Sequence, residues 1–244
     1  MAHPPRTLIV FATYNEIENL PRLVADVTQV APTADLLVVD DNSPDGTADW
    51  CERQRATDPR LHVLRRAGKQ GYGSAIVAGM QYAIDHAYDY VVTMDADFSH
   101  QPCYLPAIIG GMETAPAVDV MIGSRYVKDG GTKDWPLKRR LMSGAVNRVA
   151  RLFLWLNVRD CSSGYRSFRV SRLAMIDLSG LLSNGYSFPE EILWRLRRVG
   201  ATFRETPITF PDRTLGETKM NFREAIGAMR VLVNLGVRNM LNLK

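Results

Sequence analysis

Between residues 7 and 123, short apolar runs alternate with segments of helical spacing. This alternation restricts the fold more than any other feature of the chain. TLIVFA (7–12), LLVV (36–39), LHVL (61–64), VVTM (91–94) and VDVMIG (118–123) read as strands. Stretches 17–30, 47–56, 73–87 and 104–112 carry the helical spacing between them. Strands this short, each followed by a helix, specify an α/β class with a doubly wound, mostly parallel sheet flanked by helices. Right-handed crossovers then bring the carboxyl ends of the strands to one edge, where open α/β sheets bind ligands.

The pattern changes after residue 125. Residues 128–135 read as a polar, glycine-containing loop and 136–156 as a basic amphipathic helix ending in LFLWL. A helix over 190–198 and a strand near a sheet edge over 201–210 follow. Phe222, Ala225, Ile226, Met229, Leu232, Val233, Val237 and Met240 recur at helical spacing, with arginines and asparagines on another face. The chain is therefore divided into an α/β domain over 1–221 and a C-terminal amphipathic helix over 222–244. Core packing is the commoner reason for such a stripe and contact with a membrane surface the sharper one.

A length of 244 residues suits one large domain or two small ones, and a hydrophobic content of 46% is ordinary for a globular core. The net charge of +4 is concentrated between 125 and 151, where eight Arg and Lys face two Asp, which suggests an anionic partner. Nucleic acid is disfavoured as that partner, because acidic loops at the strand ends would repel a polyanion. The thiols Cys51, Cys103 and Cys161 form no C-x-x-C pair and indicate neither a disulfide framework nor a zinc site. There is no basic segment followed by an apolar signal core, and no apolar run approaches the roughly 20 residues that span a bilayer. The expected location is cytoplasmic, at the cytoplasmic face of a membrane.

Asp95-Ala96-Asp97 stands at the end of the fourth strand. Two carboxylates two residues apart offer hard oxygens to Mg²⁺ or Mn²⁺, especially where phosphate oxygens complete the shell. Thr13-Tyr14-Asn15-Glu16, the acidic turn 40–47 and Gly123-Ser124-Arg125-Tyr126 follow other strands at the same edge. Tyr14 can stack a base, and Glu16 or Asp41 can accept from its donor groups, whereas Asn15 and Asn42 read as turn residues. The glycine loop Lys69-Gln70-Gly71-Tyr72-Gly73 is neither a P-loop nor a Rossmann fingerprint; approach to a phosphate and a purely structural turn are equally open.

TYNEIENL (13–20), VVDDNSPDGT (38–47), MDADFSHQP (94–102), GSRYVKDGG (123–131) and PDRTLGETKM (211–220) occur in this order. Together they resemble the family 2 glycosyltransferases, specifically the dolichol/polyprenol-phosphate mannose synthases, over about residues 7–220. The resemblance implies a GT-A fold, GDP-mannose as donor, a polyprenyl or dolichyl phosphate as acceptor, and a divalent cation on the donor diphosphate. It implies that Thr13, Tyr14, Glu16 and Asp41 hold the nucleoside, and that Asp95, Ala96 and Asp97 serve sugar and metal. Arg125, Arg213 and Lys219 serve diphosphate or acceptor phosphate on this reading. Arg139 and Ser143 receive the lipid phosphate, with Trp135 near the acceptor mouth. Two departures stand out. Ala12 replaces a frequent proline, and Ser99 stands where some relatives place a metal-shell glutamine. No transmembrane hairpin follows Met220, unlike some relatives, although a membrane-protein partner is conceivable.

The acceptor phosphate is its own nucleophile, because its second pKa near 6 leaves it largely ionised at neutral pH. The four histidines (His3, His62, His86, His100) form no convincing triad, and none is needed. Direct displacement would give β-linked mannose. A UDP-sugar transferase and a non-catalytic nucleotide-sugar binder are the rival readings.

Overall fold

The structure is a computed structural model that describes residues 4–114, 117–181, 187–212 and 222–241, without the side chains of 222–229. A seven-stranded sheet forms its centre. Its strands are β1 (Thr7–Thr13), β2 (Asp35–Asp40), β3 (Leu61–Arg65), β4 (Tyr90–Asp95), β5 (Val120–Ser124), β7 (Arg166–Arg169) and β8 (Phe203–Pro207), in the order β3-β2-β1-β4-β7-β5-β8. β1 pairs in parallel with both β2 and β4, and β5 with β8. β7 alone runs antiparallel, wedged between β4 and β5.

Both sheet faces are covered. Leu8 and Val10 of β1 point to one apolar layer, while Ile9 and Phe11 point to the other, as alternation along a strand requires. The first layer is completed by α3 (Tyr72–Asp85), α5 (Leu137–Leu154), α7 (Phe188–Arg198) and α8 (Phe222–Met240). The second is completed by α1 (Leu20–Val30), α2 (Thr47–Arg55) and α4 (Leu105–Gly110). The short α6 (Val170–Leu173) follows β7. All three cysteines are free, and burial pushes the Cys51 and Cys161 thiols up to about 12, which leaves them unreactive.

β7 and the split of residues 201–210 go beyond the sequence reading, and the C-terminal helix shows the core packing named there as the commoner reason for its stripe. β7 was not foreseen: Arg166-Ser167-Phe168-Arg169 looks like a polar loop, yet Arg166 is 1% exposed inside the sheet. Its guanidinium is accommodated because it donates to the carbonyls of Pro189 and Cys161, both at 2.6 Å. The single strand over 201–210 is two, since β9 (Thr209–Pro211) leaves the main sheet to pair with β6 (Gly131–Lys133) inside the supposed loop 128–135. The C-terminal helix, finally, is built into the first layer. Leu232 and Leu235 are buried, Trp194 Nε1 donates to Asn239 Oδ1, and Asn239 Nδ2 reaches the Phe153 carbonyl. Gly236 lets α8 close on α5, since a Cβ there would meet Phe153 Cδ1 at 2.7 Å. Its other face exposes Val233, Val237, Met240 and Leu241. Among the described residues no helix is long and apolar enough to cross a membrane.

Candidate active site

The carboxyl ends of β1, β2 and β4 lie side by side, with Ala12 opposite Asp95 and Thr13 opposite Asp40. The β2 turn is stapled from within. Thr13 Oγ1 donates to Asp40 Oδ1 at 3.0 Å, and the Ser43 amide and hydroxyl donate to the same carboxylate. Asp45 accepts from the Ile17 and Thr47 amides and the Thr47 hydroxyl, which helps to hold it below the ordinary carboxyl range against the opposing cost of burial. Asn15 and Asn42 both adopt φ 62°, the left-handed turn role expected of them. Thr13 commits its hydroxyl hydrogen to Asp40, so the side chain keeps only acceptor capacity for a ligand.

Tyr14 stands at the mouth of this turn with Lys69 Nζ 4.1 Å from its ring centre. The Gln70 amide donates to Asp41 Oδ2 at 3.1 Å, which ties the glycine loop to the β2 turn. Arg66 Nη1 lies 3.1 Å from Asp41 Oδ1, and Arg66 also donates to Gln70 and Ser74. The Asp41 carboxylate is thus 6% exposed and already engaged by a cation. Any base contact to it must share that carboxylate with Arg66, a partner that sequence spacing did not reveal. Gly71, at φ 97°, makes the turn that opens α3.

Asp95 ends β4, and Ala96 and Asp97 begin the turn that follows it. The Asp95 amide donates to His100 Nδ1 at 2.8 Å, so that nitrogen is the unprotonated one. Burial lowers the His100 pKa despite the opposing charges of Asp95 and Asp97, and the ring stacks on Tyr165 at 4.8 Å. His100 is therefore a neutral support beneath the turn. Phe98 takes φ 61°, a strained conformation for a bulky residue, and its presence beside two adjacent carboxylates marks a turn held for a purpose. Asp97 Oδ1 accepts the Ser99 amide at 3.0 Å. Ala96 is 3% exposed and can offer only backbone.

The donor set fits a divalent cation shared with a phosphate. Among the described residues no three His, Cys, Asp or Glu converge as a metal site. Two hard carboxylates with remaining positions for phosphate oxygens and water suit Mg²⁺ or Mn²⁺. Ser99 Oγ is buried with no hydrogen-bond partner among the described residues, which leaves a third oxygen with unused capacity.

On the far side of the edge, Arg125 donates through Nε and Nη2 to both Asp160 oxygens at 2.8 and 2.7 Å, and through Nη2 to Ser162 Oγ at 2.7 Å. Burial opposes this charge, but Asp160 more than compensates and raises the Arg125 pKa. The expectation that Arg125 presents its fork to a phosphate is qualified by this bidentate pairing, which turns the fork inward. Arg139 lies 3.8 Å over the Trp135 ring and pairs with Asp212. Tyr126 donates to Ser143 Oγ at 2.8 Å, and Arg125 lies near both the Tyr126 and Trp135 rings. The three acceptor candidates, Arg125, Arg139 and Ser143, are thus joined through two aromatic residues. Arg213 and Lys219 lie outside the described residues. Asp160, Ser162, Asn147 and Arg66 were missed; the polar, glycine-ended run 160–164 was the one available signal.

The description "Glycosyl transferase family 2" matches residues 8–174, which contain the strand-end turns described above except the segment after 211. The chain belongs to the family 2 glycosyltransferases. This glycosyltransferase is 44% identical over 216 residues to the undecaprenyl-phosphate mannosyltransferase of Micrococcus luteus, covering 88% of each chain. It is 39% identical over 238 residues to the polyprenol monophosphomannose synthase of Mycolicibacterium smegmatis, covering 97% of this chain and 89% of that one. In fold it resembles the glucosyl-3-phosphoglycerate synthase of Mycobacterium tuberculosis, solved with Mn²⁺, UDP and phosphoglyceric acid. The TM-score is 0.65 at 15% identity, over 98% of this chain and 80% of that one. The fold is GT-A, and the enzyme is a hexosyltransferase.

Proposed function

We propose that this enzyme transfers mannose from GDP-mannose to the phosphate of a polyprenyl phosphate, yielding polyprenyl-phosphate β-mannose and GDP. The observation that carries the reading is the match, over nearly the whole chain, to two relatives named for mannosyl transfer to polyprenyl phosphates. Tyr14, Glu16 and Asp41 are assigned to the nucleoside. Asp95 and Asp97, with Ser99 behind them, are assigned to the sugar and to Mg²⁺ or Mn²⁺. A cation held there would supply charge for the departing diphosphate. Arg213 and Lys219 are assigned to the same diphosphate.

Arg139 and Ser143 orient the acceptor phosphate, and Arg125, fixed by Asp160, sets the position of Tyr126 and Trp135 around it. The phosphate attacks C1 as an already ionised nucleophile, so no side chain has to remove a proton. His100, neutral and buried, stays out of the proton traffic. In-line displacement inverts the anomeric carbon. The lipid tail stays in the bilayer, and the exposed Leu137, Leu141, Leu152 and Trp155 on or beside α5, with Val237 and Met240 on α8, are assigned to the cytoplasmic membrane surface.

A donor screen tests the reading. GDP-mannose, UDP-glucose and UDP-N-acetylglucosamine are each offered with polyprenyl phosphate and Mg²⁺ or Mn²⁺. Transfer from GDP-mannose at least tenfold faster than from either UDP-sugar is expected; preference for a UDP-sugar overturns the assignment.

A further inference from the structure

α5 is anchored unevenly. Its buried residues are Asn147, Ala150 and Leu154, so residues 137–146 contribute no buried side chain. That stretch carries Arg139 and Ser143, the residues assigned to the acceptor phosphate. Arg139, Ser143 and Asn147 are spaced four apart and share one face of the helix. Tyr126 and Asp212 also tie this stretch, but they do so through the Ser143 and Arg139 side chains themselves. Asn147 ties it without engaging either side chain.

Asn147 is 3% exposed, and its amide group makes four hydrogen bonds. Oδ1 accepts from the Cys161 and Ser162 amides at 2.7 and 3.2 Å. Nδ2 donates to the Ser143 carbonyl and to Ser162 Oγ, both at 2.9 Å. The two backbone amides can be met only by the oxygen, which fixes the orientation of the amide group. Ser162 Oγ accepts in turn from Arg125 Nη2 at 2.7 Å. One side chain thus joins the α5 backbone at Ser143 to loop 160–164 and, through a single hydroxyl, to the buried Arg125–Asp160 pair.

We infer that Asn147 is a positioning residue for the acceptor phosphate. It holds the exposed half of α5 at one distance from Arg125 and Tyr126, so that Arg139 and Ser143 meet the phosphate in a fixed arrangement. A buried polar network whose members are all satisfied is rigid, which suits a joint between a helix and the sheet edge. The inference rests on the assignment of Arg139 and Ser143 to the lipid phosphate made above. It adds the residue that keeps the two walls of that site together.

Two variants test it. Asn147→Ala removes the joint, and Ser162→Ala cuts the link to Arg125 while both backbone amides stay bound to Asn147. Melting temperature and GDP calorimetry report on the fold. Initial rates at varied polyprenyl phosphate and varied GDP-mannose give each KM. Misplacing a binding group by about 1 Å can cost about 100-fold, so both variants should lose roughly tenfold or more in kcat/KM for polyprenyl phosphate, most of it in the acceptor KM. GDP affinity and the KM for GDP-mannose should stay within twofold. If Asn147→Ala does not fold, Ser162→Ala decides alone. Acceptor kcat/KM within twofold of the parent in folded Ser162→Ala overturns the inference. So does an equal loss of GDP affinity, which would mark Asn147 as a general support of the fold. A parent enzyme that transfers no sugar to polyprenyl phosphate overturns the acceptor reading itself, and this inference with it.

Discussion

Glu190 is 2% exposed at the start of α7, and burial pushes its carboxyl up to about 7 despite the nearby Arg166. A carboxyl with a raised folded pKa favours the native state in its protonated form. That contribution is complete below the ordinary value near 4.3 and is lost as pH rises through about 7. Glu190→Gln should therefore flatten the fall in stability between about pH 4.5 and 7.5 and be the more stable protein at pH 8, by up to roughly 3 kcal/mol. Denaturant titrations across that range check it; parallel curves for the two proteins would contradict it. Arg139 carries a second expectation. Losing one charge-assisted contact to phosphate costs about 1.5–3 kcal/mol, so Arg139→Ala should lower kcat/KM for the lipid acceptor roughly 10- to 100-fold. Its GDP affinity should stay within twofold, and a large loss of GDP binding would move Arg139 to the donor side. At this scale the turns were legible, because Asp95, Asp97, Tyr14 and Asp41 each follow an apolar strand directly. Asp160 was not legible. It meets Arg125 across 35 residues of sequence, and no local spacing encodes such a pairing.

The strands and helices of the first half were read within a residue or three of their observed ends, since apolar runs and helical spacing alternate there without interruption. β7 escaped because it opens on a buried arginine, whose charge is accommodated by the carbonyl of Cys161, five residues before it, and by that of Pro189, 23 residues after it. α8 was read as amphipathic, with core packing the commoner reason for its stripe and a membrane surface the sharper one; the fold uses one of its faces as core. The two faces can be separated by experiment. Leu235→Asp puts a charge into the layer shared with α5 and α7 and should cost roughly 3 kcal/mol or more. Val237→Asp and Met240→Asp lie on the exposed face and should leave the melting temperature within a few degrees while weakening co-sedimentation with anionic liposomes. Unchanged liposome binding in the folded Val237→Asp, Met240→Asp double variant would remove α8 from the membrane contact. Deleting residues 222–244 is expected to destabilise the enzyme, because it uncovers Phe153 and Trp194.

In the whole molecule, one sheet edge carries both the residues proposed for the donor and those proposed for the acceptor. Tyr14, Asp41 and the glycine loop lie on the β2 side, and Arg125, Arg139 and Ser143 lie beyond β7, with the Asp95–Asp97 turn between them. The antiparallel β7, inserted between β4 and β5, is what sets these two groups apart. The alternation of strands and helices made the edge itself predictable; the insertion depends on long-range pairing and was not. The central claim is transfer of mannose to a lipid phosphate with inversion, supported by a divalent cation. The most direct measurement is the anomeric NMR signal of the lipid-extractable product formed from GDP-mannose and polyprenyl phosphate, with Mn²⁺ and with excess EDTA. The account predicts a β-linked mannosyl phosphate that appears only with the cation. An α-linked product, or full product formation in EDTA, would contradict it.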